Sequence, residues 1–300
     1  MTNNKNFRSK SDSFYRFVAN SPDNSNQNSF SWIEGSLKGI GCWFIFIFFM
    51  IFSSKTIIAQ ELEKPLRLMS YNIRTARGMD NIQDYDRIAA IINSKKPDVV
   101  AIQELDMKNE RSQNDDILAE LANRTDMNAS FSGAISFRGG EYGIGILSKE
   151  KPIQLRRLPL PGSEEKRTFL IAEFENYIFC CTHFSLTEAD RQTSVQLIQN
   201  ELKNDTKITF LAGDFNAKPE SPTILSLTQN CVNLTGENPT YPADKPNICI
   251  DFIFGMDPTG KQSTDNPNWQ TGILQNEVLN EPLASDHRPI FVEFNLSALK

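Results

Sequence analysis

From Pro65 onward the apolar residues of this chain arrive in short runs, each soon interrupted by polar residues, Gly or Pro. That punctuation excludes a disordered chain and gives a strand-rich α/β set. Leu66 to Ile73, Asp98 to Leu105, Tyr142 to Ser148, Ile153 to Leu158, Phe169 to Glu175 and Tyr177 to Phe184 read as strands. So do Lys207 to Leu211, Ile250 to Phe254 and Ile290 to Phe294. Tyr85 to Lys95 reads as a helix, with Ile88, Ala89, Ile91 and Ile92 apolar and Pro97 breaking it. Asp115 to Arg124 and Glu188 to Leu202 are the other helical stretches. There is no short repeat and no linker after residue 64, so residues 60–300 are expected to form one domain.

The first 36 residues are rich in Asn and Ser and lack apolar periodicity, which predicts an unfolded polar leader. Gly39 to Phe52 follows Lys38 without a single charge. A membrane span needs about 20 such residues. Residues 37–59 therefore read as a secretory signal with Ala59-Gln60 as its cut, or as an uncleaved membrane anchor. Either implies a protein exported to a periplasmic or secreted location. The formal charge is −6, and the chain is more acidic still after residue 60, with no basic stripe. That balance disfavours a nucleic-acid partner. Cys180, Cys181, Cys231 and Cys249 show no metal-type spacing, and their disulfide state is left open.

The chemistry concentrates where polar residues end apolar strands, because a strand end projects a side chain rigidly into a cleft. Asn72, Glu104, His183, the pair Asp214 and Asn216, and the pair Asp286 and His287 all sit this way. A lone strand-end acid is usually a solvated surface group. As a set, however, Asn72, Glu104 and Asp286 offer hard oxygen ligands, without the His or Cys pair that zinc prefers. Mg2+ is the natural occupant, with Mn2+ an alternative. The chain has two histidines, and both fall inside these segments. Metal, acid and imidazole would polarise a phosphoryl group, activate a water and assist a leaving oxygen.

Ser-Tyr-Asn-Ile, Ile-Gln-Glu, Thr-His-Phe, Gly-Asp-Phe-Asn, Ile-Asp-Phe-Ile-Phe and Ser-Asp-His-Arg-Pro follow one another here in the order found in the endonuclease/exonuclease/phosphatase superfamily. Over residues 65–297 the chain resembles that family. The resemblance implies a four-layer α/β/β/α sandwich with two mostly antiparallel sheets. It implies that Glu104 is the principal metal ligand, with Asn72 and Asp286 close to the metal. Asp214 would orient or deprotonate the attacking water, and Asn216 would hold that water or a phosphate oxygen. His287 would donate to the phosphate, with Asp251 fixing its ring, and His183 would contact the phosphate or the leaving group.

Tyr142, Arg111, Arg167 and Arg191 are candidate substrate contacts, although a single Arg is more often structural. The segment from Arg74 to Asp80 is similar to one in exported bacterial-type members. The function expected is metal-dependent hydrolysis of a phosphate ester, a small molecule or lipid head group, by a monomer. The alternatives are a secreted nuclease and a sphingomyelinase-like phospholipid phosphodiesterase; a non-catalytic binding protein is the weakest reading. Membrane contact is expected only if the apolar segment stays attached.

Overall fold

A computed structural model describes residues 64–258 and 268–299; the leader and apolar segment read at residues 1–59 lie outside the described residues. β1 (Leu66–Asn72) is antiparallel to β12 (Ile290–Phe294) on one side and parallel to β2 (Val99–Met107) on the other. With β11 (Ile273–Val278), β4 (Gly140–Ser148) and β3 (Asn128–Phe137) they form a sheet ordered β11-β12-β1-β2-β4-β3. The second sheet contains β5 (Gln154–Leu160), β6 (Arg167–Glu173), β7 (Ile178–His183), β8 (Thr209–Asp214), β9 (Val232–Asn233) and β10 (Asp251–Met256). Its order is β5-β6-β7-β8-β10-β9, and it is parallel only between β7 and β8. Each sheet thus has one parallel pair among antiparallel neighbours.

Parallel neighbours need a crossover. α1 (Tyr85–Lys95) joins β1 to β2, α2 (Ile117–Thr125) lies between β2 and β3, and α3 (Glu188–Leu202) joins β7 to β8. α4 (Pro222–Leu227) and α5 (Asn268–Gly272) are shorter. Asp84 and Asp116 cap α1 and α2 by accepting from Arg87 N and Ala119 N at 2.9 and 3.0 Å.

The period-two alternation of the strands sorts side chains into layers. Leu68, Val99, Ala101, Ile144 and Ile146 face Leu170, Phe179, Phe210 and Ile253 between the sheets. Met69, Tyr71, Val100 and Ile102 face Ile88, Ile92 and Leu121 of the helices instead. On the other flank Phe169, Ile171 and Cys180 pack against Val195 and Ile198. Two sheets face to face with helices outside is the four-layer arrangement expected.

Residues 128–137 form a strand that the sequence reading passes over. Asn-Ala-Ser-Phe-Ser-Gly-Ala-Ile-Ser-Phe has no clean alternation, and it needs none, because β3 is a sheet edge with many residues exposed. β9, only two residues long, and the largely exposed β11 are sheet edges that the sequence reading misses as well, whereas the fourth edge, β5, is read at Ile153 to Leu158. Among the described residues the cysteines, Cys180, Cys181, Cys231 and Cys249, are buried and unbridged. Among the described residues no helix is long and apolar enough to cross a membrane.

Gly213 pairs with Thr182 across the parallel β7–β8 junction, one residue before the ends of both strands. A Cβ there would lie 2.1 Å from the Thr182 carbonyl oxygen, so any side chain must force the strands apart. Gly213→Ala is expected to destabilise the fold by about 1–3 kcal/mol. Urea unfolding with an unchanged midpoint would contradict this close approach.

Candidate active site

The carboxyl ends of both parallel pairs lie at the same end of the sandwich. Asn72 ends β1 and pairs with Gln103; His183 ends β7 and pairs with Asp214, which ends β8. Asp251 opens the antiparallel β10 directly opposite Asp214. Glu104 arrives differently. Strict alternation from Ile102 would turn it toward the helix layer, but β2 bulges between Ile102 and Leu105, and Glu104 takes φ 61°. A bulge redirects a side chain, and this one leaves Glu104 within hydrogen-bonding reach of Asn72.

Arg74, Thr75 and Ala76 also have positive φ, forming a left-handed turn straight after β1. Left-handed backbone in side-chain-bearing residues costs about 1–3 kcal/mol each, and here it sets the Asn72 amide. Arg74 N donates to Asn72 Oδ1 at 3.1 Å, so Nδ2 faces the carboxylates. Nδ2 donates to Glu104 Oε1 and to Asp214 Oδ2, both at 3.1 Å, one from each sheet. Ser285 Oγ donates to the Asn72 carbonyl at 2.7 Å, tying the Asp286–His287 segment to the same strand end. Asn72 therefore presents N–H to this cluster, and its oxygen is engaged elsewhere.

Two imidazoles flank Asp214. His287 Nε2 lies 3.6 Å from Asp214 Oδ2, and its Nδ1 lies 2.9 Å from Asp251 Oδ2. Thr240 Oγ1 donates to that same Asp251 oxygen, and the Tyr241 ring sits 4.9 Å from the imidazole. Burial works against a charge on His287, but Asp251 and Asp214 outweigh it and raise the pKa to about 10. His183 Nε2 lies 3.5 Å from Asp214 Oδ2. Burial, reinforced by Arg167, overcomes the attraction of Asp214 and lowers its pKa to about 4. At neutral pH one ring is cationic and the other neutral, a division that suits a donor and its partner.

The acidic groups fit a divalent cation. Burial, with Asp286 and Asp214 nearby, pushes the Glu104 carboxyl above its ordinary range despite the Asn72 hydrogen bond. A cation would relieve that cost. Asp214, Asp251 and His287 also bring one ligand atom each within 4.8 Å of one another. His287 is already hydrogen-bonded to Asp251 and ion-paired with Asp214, and a protonated imidazole has no lone pair for a metal. Glu104 and Asp286 are the better oxygen donors.

The remaining expected residues divide. Asn216, at φ 47°, gives its backbone N–H to Asp214 Oδ1 at 2.9 Å and its amide N–H to the Phe184 carbonyl at 2.9 Å. It clamps the strand ends and gives one of its two amide N–H groups to the chain. Tyr142 lies among Glu104, Glu165, Arg167 and Arg111, and burial with the two acids pushes its hydroxyl pKa up. Arg111 forms a two-pronged pair with buried Asp106 at 2.8 and 2.7 Å and stacks over Phe137 and Tyr142. Arg191 is not available to substrate as expected. It donates to the carbonyls of Ser185 and Leu186 and to Glu188, bracing the loop after β7. Arg167 is likewise committed, to Glu165 at 2.8 Å and His183 Nδ1 at 3.4 Å. Thr240, Tyr241 and Ser285 support the site, and only the run Thr240-Tyr-Pro-Ala signals a cleft wall in sequence.

The model of the Endonuclease/Exonuclease/phosphatase family matches residues 69–287. Among solved structures, an endonuclease/exonuclease/phosphatase from Beutenbergia cavernae is 21% identical, covering 77% of this chain and 71% of that one, with a TM-score of 0.59. A mannosyl-6-phosphatase from Bacteroides thetaiotaomicron is 18% identical over 76% of this chain and 98% of that one, at 0.58. A D. rerio TDP2 humanized by 14 mutations is 20% identical over 77% and 99%, at 0.57. At these identities the likeness is one of fold.

The His287 environment makes a linkage prediction. A pKa raised from 6.5 to about 10 contributes stability that is complete below 6.5 and is lost as pH rises through about 10. Asp251→Asn should lower the His287 pKa and flatten the alkaline loss of stability. Proton NMR titration of an unchanged His287 in that variant would refute the pairing.

Proposed function

The chain belongs to the endonuclease/exonuclease/phosphatase family, and from that premise we propose that it is a Mg2+-dependent phosphoesterase acting outside the cytoplasm on a small or lipid-linked phosphate ester. Members of the family are hydrolases of phosphoester bonds and generally depend on a divalent metal. The observation that carries the reading is Asp214 Oδ2, approached by Asn72 Nδ2 and by the Nε2 atoms of both histidines. An oxygen so surrounded is held for proton transfer with little freedom to drift.

Asp214 accepts a proton from a water as the water oxygen bonds to phosphorus and the bond to the leaving oxygen breaks. Imidazolium His287, backed by Asp251, donates a hydrogen bond to the phosphoryl oxygen on which charge builds. His183 faces the same space from β7 and stands ready to donate to a phosphoryl or leaving oxygen. A divalent cation held by Glu104 and Asp286 would supply Lewis-acid polarisation of the phosphoryl group, with Mn2+ a workable substitute.

Charge pairing favours a small substrate over a polymer. Three guanidiniums near the cleft, Arg74, Arg111 and Arg167, are paired with Asp286, Asp106 and Glu165. A nuclease must spread cations along several phosphates. A second reading, a phospholipid head-group phosphodiesterase, draws support from exposed Met79, Ile82 and Leu283. They stand on neighbouring loops, joined where Met79 N donates to Leu283 O at 2.8 Å, and these loops adjoin Arg74 and Asp286. The extracytoplasmic placement is supported by the uncharged stretch Gly39 to Phe52.

The test is a Mg2+/Mn2+ activity panel of nitrophenyl phosphates, sugar and inositol phosphates, sphingomyelin and DNA. Asp214→Ala and Glu104→Gln should each lower turnover on a responsive ester by on the order of 10²- to 10⁴-fold while the fold survives. Undiminished turnover by the Asp214 variant would overturn the mechanism. Mg2+ should raise the melting temperature of the wild type and do so less for Glu104→Gln; equal shifts would remove Glu104 from the metal site.

A further inference from the structure

His183 and His287 present the same ring atom, Nε2, to the same oxygen of Asp214, yet their Nδ1 atoms are backed by opposite charges. Behind His287 stands the Asp251 carboxylate. Behind His183 stands the Arg167 guanidinium, with Nη1 at 3.4 Å from Nδ1. An arginine has donors and no acceptor, so Nδ1 of His183 must be the acceptor of that bond. The ring proton then sits on Nε2, the atom 3.5 Å from Asp214 Oδ2.

We propose that Arg167 is a positioning residue for His183. It occupies the Nδ1 lone pair and so fixes the tautomer that aims an N–H at Asp214 and at the phosphoryl space beside it. The inference rests on the hydrolytic reading above and deepens it.

Arg167 is held well enough for this task. It is 8% exposed, and its Nη1 also lies 2.8 Å from Glu165 Oε1. Its Nη2 is 3.5 Å from Glu164 Oε1. Glu164 in turn accepts from Leu186 N at 2.6 Å, Ser185 Oγ at 2.9 Å and Thr187 Oγ1 at 3.3 Å. Those three residues, 185 to 187, lie in the loop just beyond the β7 strand end that carries His183. The turn bearing Glu164 and Glu165 and the loop after His183 are therefore bound to each other, with Arg167 between them. A phosphate ligand needs a guanidinium free to face the cleft; both terminal nitrogens of this one are engaged, and its Nε is buried without a partner. A neutral partner at Nδ1 would fix the ring as well, but a cation there also opposes a second proton, leaving His183 uncharged beside its cationic counterpart.

The chain has two histidines, so selective 15N-histidine labelling yields two rings, and Asp251→Asn assigns them by moving His287. In the full-length wild type at neutral pH, His183 should show a protonated Nε2 and an unprotonated Nδ1. Arg167→Met should let the proton distribute over both nitrogens and lower kcat by roughly 10- to 100-fold with KM little changed. Arg167→Lys, which keeps a cationic donor, should recover part of both. Glu165→Gln loosens Arg167 without deleting it and serves if Arg167→Met does not fold; it should shift the nitrogen signals in the same direction. A protonated Nδ1 on His183 in the wild type would overturn the proposal, as would an Arg167→Met variant with unchanged tautomer and unchanged kcat. The nitrogen shifts report the hydrogen bond even if no ester on the panel is cleaved. Failure of the hydrolytic reading and failure of this one are thus distinguishable.

Discussion

One side-chain amide holds the two halves of this molecule in working relation. Asn72 Nδ2 reaches Glu104 in its own sheet and Asp214 in the other. Face-to-face sheets are free to slide and twist at their open ends, where apolar packing gives out. A buried amide bridging two carboxylates, each at 3.1 Å, ties the sheets together there. Without it the carboxylates would have no shared donor, and their repulsion would open the cleft. The left-handed turn of residues 74–76 and the Ser285 hydroxyl serve that one amide, the first by taking its oxygen and the second by holding the strand end it grows from.

The parallel pairs explain why the functional groups meet at all. Antiparallel neighbours send alternate strand ends to opposite edges, so two adjacent carboxyl ends coincide only where strands run the same way. The fold has one such place in each sheet, β1–β2 and β7–β8. Stacking the sheets puts Asn72 and Glu104 across from His183 and Asp214. The incoming antiparallel strands β10 and β12 add Asp251, Asp286 and His287 from the opposite chain direction.

Much of this was legible in sequence because buried strands leave a strong trace. β1, β2, β7, β8, β10 and β12 are apolar runs with polar residues at one end, and each was recognisable from that contrast. Three of the four edge strands, β3, β9 and β11, leave little trace, since an edge is freer to vary in composition; β5 is the edge whose alternation still shows. Side-chain orientation left none. Nothing in the letters of Arg191 distinguishes a loop brace from a phosphate ligand, because both use the same donors. Nor does the sequence tell which end of the Asn72 amide faces the acids; a backbone N–H two residues later decides it. Glu104 is legible as the acid that closes an apolar run, but the strand continues past it to Met107, and the bulge that turns it is not legible, because left-handed backbone at a glutamate runs against propensity.

The bulge in β2 also governs where this scaffold can change length. Inserting or deleting a residue between Ile102 and Leu105 would exchange the faces of everything beyond it, burying charge and baring apolar surface in one step. A change at the Arg138-Gly139 tip of the β3–β4 hairpin flips no strand face beside the site, although both residues hold positive φ, 44° and 85°, and a replacement turn must keep that left-handed backbone. That tip lies beside the Arg111–Phe137–Tyr142 stack, close enough to reshape the cleft wall. Divergence in what the cleft accepts can therefore proceed by trimming or extending a hairpin, while the residues that meet phosphorus stay where the strands put them.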